Sequence, residues 1–257
     1  MEKMEIKNPG ILSKTVRINR FLAMSGVTSR RKAEELILQG LVSINGKTVT
    51  DLATKVRPNF DNVSVENKVI LLEQTKIYIV FNKPKDCITT TKDEKGRTTV
   101  FDYVRLKHRI FPVGRLDRNT TGVLLLTNDG DFAYQLMHPS YEIEKTYHVT
   151  LDKSLDTKDI KRVEGGIILE RKKTAKAKVT LYPKTHNRQF AITIHEGRNR
   201  QIRKMLEILG YDVEKLDRVS YGGITPKGIP RGGWRYLTNP EMRQLKKMFI
   251  KKNRNDD

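Results

Sequence analysis

Residues 114–130 read Gly114-Arg115-Leu116-Asp117-Arg118-Asn119-Thr120-Thr121-Gly122-Val123-Leu124-Leu125-Leu126-Thr127-Asn128-Asp129-Gly130. The apolar run that starts at Val123 is of strand length and predicts a buried strand over 123–127, closed by the turn residues Asn128, Asp129 and Gly130. Ahead of it, Asp117 stands between two arginines in a loop bracketed by Gly114 and Gly122. Neighbouring cations favour the ionised carboxylate, and the glycines permit tight geometry or close approach. An ionised, positioned aspartate suits a nucleophile or a base better than a proton donor. On spacing alone, an Arg–Asp pair that merely braces the loop is the simpler reading.

Working outward, Ile77-Tyr78-Ile79-Val80-Phe81 is a second β-rich run, stopped by Asn82-Lys83-Pro84. Residues 146–151 and the alternating Phe190, Ile192 and Ile194 predict further strands. Helical patterns occupy 131–137, 156–163, 200–209 and 240–249, the last with Asn239 as a cap ahead of Pro240. Strands with interspersed helices indicate an α+β domain built on a mixed sheet, spanning 76–250. A smaller α/β unit precedes it over 15–72. There Ile18, Phe21 and Leu22 mark one helix face ended by Gly26, and Thr28 or Ser29 caps a second helix from Arg30 to the stop at Gly40. Asn45-Gly46 between short apolar runs is a strong hairpin signal. The polar ends, 1–14 and 251–257, read as flexible basic or polar tails.

Fifty Lys and Arg stand against thirty Asp and Glu, a net charge of +20. Such an excess points to a polyanionic partner, because each neutralised phosphate releases counterions. Residues 1–75 hold 12 basic and 8 acidic residues, a net of +4, which leaves +16 for the larger part. No apolar run is long enough to span a membrane, and residues 1–14 lack the apolar region of a secretory signal; both point to a cytoplasmic protein. The single cysteine, Cys87, excludes a disulfide scaffold. His138, His148 and His195 have no ligand spacing, and no Gly-rich phosphate loop is present. Neither a metal nor a cofactor is therefore expected.

The segment 114–130 is similar to the signature of the RsuA/RluB/RluF family of pseudouridine synthases, and other pieces follow in that family's order. "NKPKDCITTTKDEKGRTTVFDYV" (82–104) resembles its opening segment, "HPSYEIEKTYHV" (138–149) its Lys-x-Tyr strand, and "EGRNRQIRKMLEILGY" (196–211) its late basic helix. "KLDRVSYGGI" and "GIPRGGWRYLT" resemble its C-terminal block, and "GLVSINGKTV" with the helices before it resembles the S4 RNA-binding module. Together these cover about residues 15–245, closest to the RluB type. The resemblance implies roles by position. Asp117 would be the essential aspartate, Tyr147 the ring that stacks on the target base, and Arg203 the arginine paired with Asp117. Leu216 would be a wall of the uracil pocket, and Arg115 would help hold the RNA open. In the S4-like unit it nominates Arg20, Ser29, Arg30, Arg31, Lys32 and Lys47 for RNA contact, and in the basic helix region Arg198, Arg200 and Lys204.

Each has a plainer alternative: Tyr147 and Leu216 as core, Arg203 as one more phosphate contact, Arg30 and Lys32 as a solvated face. Three cations at a helix N-terminus do oppose the helix dipole, so an anion there relieves a cost. The implied reaction is the isomerisation of uridine to pseudouridine in ribosomal RNA, most simply a stem-loop of the large subunit, by a monomer without cofactor. The same chemistry on small-subunit RNA or tRNA, or a non-catalytic ribosome assembly factor, are the alternatives. A glycosidase would need a second carboxylate across the bond.

Overall fold

The computed structural model describes residues 15–73, 75–91 and 93–253, with side chains as far as residue 250. The N-terminal tail and residues 254–257 lie outside the described residues. The chain forms two compact units. One runs to Ile77 and also takes Leu106–Ile110 and Asn128–Gly130; the other comprises Tyr78–Arg105, Phe111–Thr127 and the chain from Asp131 onward. The first unit therefore borrows two short loops from inside the sequence-based span 76–250.

In the first unit, β1 (Val16–Arg17) leads into α1 (Ile18–Met24) and α2 (Arg30–Leu38). Strands β2 (Val42–Ile44), β3 (Lys47–Val49), β4 (Lys55–Val56), β5 (Val63–Val65) and β6 (Lys68–Val69) follow, giving a sheet ordered β3-β2-β5-β6 and a separate β1–β4 pair. The predicted face of α1 is buried: Ile18, Phe21 and Leu22 pack with Ala33 and Ile37 of α2 and with Val42, Val56 and Val63. Ser29 is the cap of α2, its hydroxyl accepting from the Lys32 amide at 3.2 Å. Asn45 and Gly46 both take positive φ, 50° and 79°, as a two-residue hairpin turn demands.

The second unit is built on an eight-stranded mixed sheet, so the α+β expectation holds. Its strands are β7 (Tyr78–Lys83), β8 (Phe111–Pro112), β9 (Thr121–Thr127), β10 (Lys145–Leu151), β13 (Lys178–Leu181), β14 (Gln189–Ile194), β15 (Val213–Tyr221) and β16 (Trp234–Tyr236). The order is β13-β14-β10-β15-β9-β7-β16, with β8 beside β9. All pairs are antiparallel except β15 with β9. A small hairpin, β11 (Ile168–Leu169) with β12 (Lys172–Lys173), stands apart. Helices α3 (Val100–Tyr103), α4 (Gly130–Met137), α5 (Thr157–Gly165), α6 (Gln201–Ile208) and α7 (Asn239–Asn253) complete the unit.

Strands β7 and β9 are buried almost throughout, which is why they read as continuous apolar runs rather than alternating ones. One face, with Val80, Val123 and Leu125, packs on Phe132 and Leu136 of α4 and on Leu245 and Phe249 of α7. The start of α7 differs from expectation. Thr238, not Asn239, caps it: its amide and hydroxyl donate to the Glu241 carboxylate at 2.8 and 3.0 Å, and its hydroxyl accepts from the Glu241 amide at 3.4 Å. This is a capping box, a reciprocal pair that leaves Asn239 and Pro240 inside the first turn.

Candidate active site

Asp117 sits in the loop between β8 and β9, and backbone contacts hold that loop in place. The Thr89 hydroxyl donates to the Leu116 carbonyl at 2.9 Å and accepts from the Leu116 amide at 3.3 Å. The Thr120 amide donates back to the Asp117 carbonyl at 3.0 Å, closing a turn. Lys83, fully buried at the end of β7, donates from Nζ to the carbonyls of Asp117 (3.1 Å), Arg118 (3.2 Å), Thr120 (2.9 Å) and Pro84 (3.1 Å). Burial pushes the Lys83 ammonium down to about 8, against the attraction of Cys87, Asp117 and Asp86. It still carries its proton at neutral pH, so its three N–H groups are shared among these four carbonyls.

Gly122 sets the depth of the loop. Its φ is +102°, and a Cβ there would lie 2.2 Å from the Arg218 carbonyl oxygen and 2.6 Å from Asp217 Oδ1. The parallel pair β9–β15 closes at this glycine, with Gly122 opposite Arg218. Beside it Thr121 Oγ1 donates to Asp217 Oδ1 at 2.7 Å, and Arg231 bridges Asp217 Oδ2 (2.7 Å) to Asn82 Oδ1 (2.6 Å). The aspartate loop is thus fastened to β15, β7 and the loop that carries Arg231.

Strand β10 supplies the floor. Residues two apart share a face, so Lys145 and Tyr147 both line a cleft of about 470 Å³ that also takes in Asp117, Leu216 and Arg218. Sheet register brings these together: Tyr147 lies opposite Arg218, Lys145 opposite Tyr221, and Leu216 opposite Val149. Arg218 is 3% exposed; its Nε donates to the Val123 carbonyl at 2.7 Å and its Nη1 reaches the Tyr147 hydroxyl at 3.4 Å.

The rim is basic. Arg200, in the left-handed region at φ 51°, heads α6 and places Nη1 3.9 Å from Asp117 Oδ2. One turn on, Arg203 donates from Nη1 to the Val213 carbonyl at 2.6 Å, and its Nε is buried with no partner among the described residues. Burial, and then Arg200, lower the Arg203 pKa, while Asp117 pulls the other way. Arg198 donates to the carbonyls of Lys172 (2.8 Å) and Lys173 (2.6 Å), tying the β11–β12 hairpin to the rim. The Glu196 carboxylate accepts from Gln201 (2.6 Å) and the Ala175 amide (3.0 Å), so it braces this loop.

Comparison with known proteins gives the family. The RNA pseudouridylate synthase family matches residues 77–208, and the S4 domain matches residues 16–59. The chain belongs to the RNA pseudouridylate synthase family. It is similar to the ribosomal large subunit pseudouridine synthase B of Bacillus subtilis, at 45% identity over 90% of this chain and 95% of the relative. It is also similar to the dual-specificity RNA pseudouridine synthase RluF of Escherichia coli, at 37% identity over 91% of this chain and 80% of the relative. A crystal structure of a pseudouridylate synthase superposes with a TM-score of 0.66 at 29% identity, covering 90% of this chain and 99% of that one.

Within this pseudouridine synthase fold, Asp117, Arg115, Tyr147, Leu216, Arg198 and Arg200 line one cleft. The expected ion pair between Arg203 and Asp117 is not the one formed. The Val213 carbonyl holds Arg203, and Arg200 is the arginine that reaches the carboxylate. Arg198 and Lys204, nominated for RNA, also bond within the protein, Lys204 to Glu170 at 2.5 Å and Arg198 to the carbonyls of Lys172 and Lys173. In the S4 unit Arg30, Arg31, Lys32 and Lys47 are exposed, Lys32 paired with Glu35 at 2.6 Å; Arg20 is half-buried on α1, and the Ser29 hydroxyl serves its own helix. Sequence reasoning missed Lys83, Lys145 and Arg218. The signal for Lys83 was a lysine two residues past the apolar run 77–81. For Arg218 it was a position two residues from Leu216, hence on the same strand face. Among the described residues no group of side chains could hold a metal ion, and no helix is long and apolar enough to cross a membrane.

Proposed function

We propose that this synthase isomerises a uridine in a stem-loop of large-subunit ribosomal RNA, acting as a cytoplasmic monomer with Asp117 as its catalytic carboxylate. The observation that carries the reading is the convergence of Asp117, Tyr147 and Leu216, from three separate elements, on one cleft with a basic rim. The large-subunit substrate is supported by the 45% identity to the B. subtilis enzyme of that name. Residues 76–250 form the catalytic domain and 15–72 the RNA-holding domain, whose exposed Arg30, Arg31 and Lys47 meet phosphates.

In the reaction the C1′–N1 bond breaks, the uracil turns, and C5 bonds to C1′; C5 then loses its proton and N1 gains one. The stacked uridine must first leave its helix, at a few kcal/mol. Stacking on Tyr147 returns about 1–3 kcal/mol, and Leu216 walls the pocket. Arg115, exposed at the cleft edge, keeps the RNA open. Arg200 holds its guanidinium 3.9 Å from the Asp117 carboxylate, and Arg203 adds to the positive potential behind it. Asp117→Asn is expected to abolish pseudouridine while RNA affinity changes little. Full pseudouridine yield from that variant in a carbodiimide primer-extension assay would refute the assignment.

A further inference from the structure

Two cations lie inside the cleft floor with no carboxylate bonded to either among the described residues. Lys145 is 8% exposed and Arg218 3% exposed. Lys145 Nζ donates to the carbonyls of Ile143 (3.0 Å) and His195 (3.2 Å), which leaves one ammonium proton over. It also stands 5.4 Å from the centre of the Tyr221 ring. The Arg218 guanidinium lies 4.8 Å from the same ring and 5.9 Å from that of Tyr147, and its Nη2 is buried without a partner among the described residues. Burying a charge without a bonded opposite one is unfavourable. Here two like charges share one site, and their mutual effect is visible: burial first, and then Arg218, lower the Lys145 pKa to about 8, with Glu196 opposing. Facing Lys145 are Arg218 and Tyr221 from β15, Glu196 from the loop after β14, and Tyr147 from its own strand; Glu196 is already bonded to Gln201, Ala175 and Arg198.

A floor whose two cations have no carboxylate bonded to them is matched to an anion that exists only part of the time. We propose that Lys145 and Arg218 form a cationic floor that stabilises the negative charge of the uracil while it is detached from the ribose. This rests on the reading of the chain as a uridine isomerase. Heterolysis of C1′–N1 leaves the bonding pair on the base, spread over N1, O2 and O4. The sugar is compensated by a bond from C1′ to the Asp117 carboxylate, or by transfer of the C2′ proton to it. When C5 attacks C1′ the pair becomes the new C–C bond, the carboxylate is released or returns its proton, and the C5 proton leaves as N1 takes one up. The charge on the base is present only between these two events, so cations preorganised for it favour the barrier over the bound substrate.

The test uses the full chain and an unmodified large-subunit ribosomal RNA transcript made with 5-tritiated uridine, reading tritium release and RNA binding. Lys145→Met and Arg218→Gln are each expected to lower kcat on the order of 100-fold, with KM and RNA affinity nearly unchanged. Wild-type turnover is expected to fall as pH rises through about 8, where Lys145 loses its proton. In Lys145→Arg most of kcat returns and the fall becomes shallower, because a guanidinium keeps its proton while Lys83, also held down at about 8, still titrates. A near wild-type kcat in Lys145→Met, a loss appearing in KM alone, or an unchanged pH profile in Lys145→Arg each overturns the proposal. If Arg218→Gln does not fold, the Lys145 variants decide alone. No tritium release by the wild-type protein overturns the functional reading and this proposal with it; every other result bears on the proposal only.

Discussion

In the catalytic unit, Lys83, Lys145 and Arg218 carry their charges inside the protein, each fixed by backbone carbonyls. In the S4 unit, Arg30, Arg31 and Lys47 carry theirs on the surface, at the head of α2 and on β3. The same residue types thus do two kinds of work. An exposed cation interacts through water and salt, where a single contact is weak and many act together. A buried cation acts over short range at low dielectric, so its position decides its effect. Catalytic precision calls for the second arrangement, and tolerant gripping of an RNA backbone for the first.

Four substitutions test that contrast, in falling order of effect. Gly122→Ala forces a Cβ to 2.2 Å from a backbone oxygen at a positive φ. It is expected to destabilise the catalytic unit by more than about 3 kcal/mol, seen as a large loss of thermal midpoint; a wild-type midpoint would show that β9 and β15 part freely. Lys83→Met removes the ammonium donor from the carbonyls of Arg118 and Thr120, while the Asp117 carbonyl keeps the Thr120 amide. At about 1–3 kcal/mol per orphaned group, it should lower denaturant stability and kcat together, whereas a stable, fully active variant would separate the loop from its anchor. Arg30→Gln and Arg31→Gln should alter stability by less than about 0.5 kcal/mol. Each should flatten the slope of log affinity against log salt by roughly 0.7–0.9. A kcat effect with no change in that slope would place these arginines outside the phosphate interface.

Elements with a strong local pattern were legible in the sequence. The apolar runs became β7 and β9, the alternation at Phe190, Ile192 and Ile194 became β14, and the stops at Gly26 and Gly40 lie just past α1 and α2. Strand β15 was not predicted. Its residues Val213–Tyr221 mix charged and apolar side chains, because one face lines the cleft and bonds polar groups there. Charged residues that point inward look, in sequence, like charged residues that point to water.

Asp117 itself was readable from the chain, as an arginine-flanked carboxylate between two glycines and through its resemblance to a known signature. Local sequence also determined the S4 helices, the central strands and the cationic excess, since these depend on neighbours a few residues away. Only the tertiary structure decided which arginine faces Asp117, since Arg200 and Arg203 are three residues apart on one basic segment and differ by what they meet. It also decided that Lys83, Lys145 and Arg218 are buried around the aspartate. Strand register and parallel pairing set those distances, and both join residues far apart in the chain, where sequence pattern carries no measure of approach.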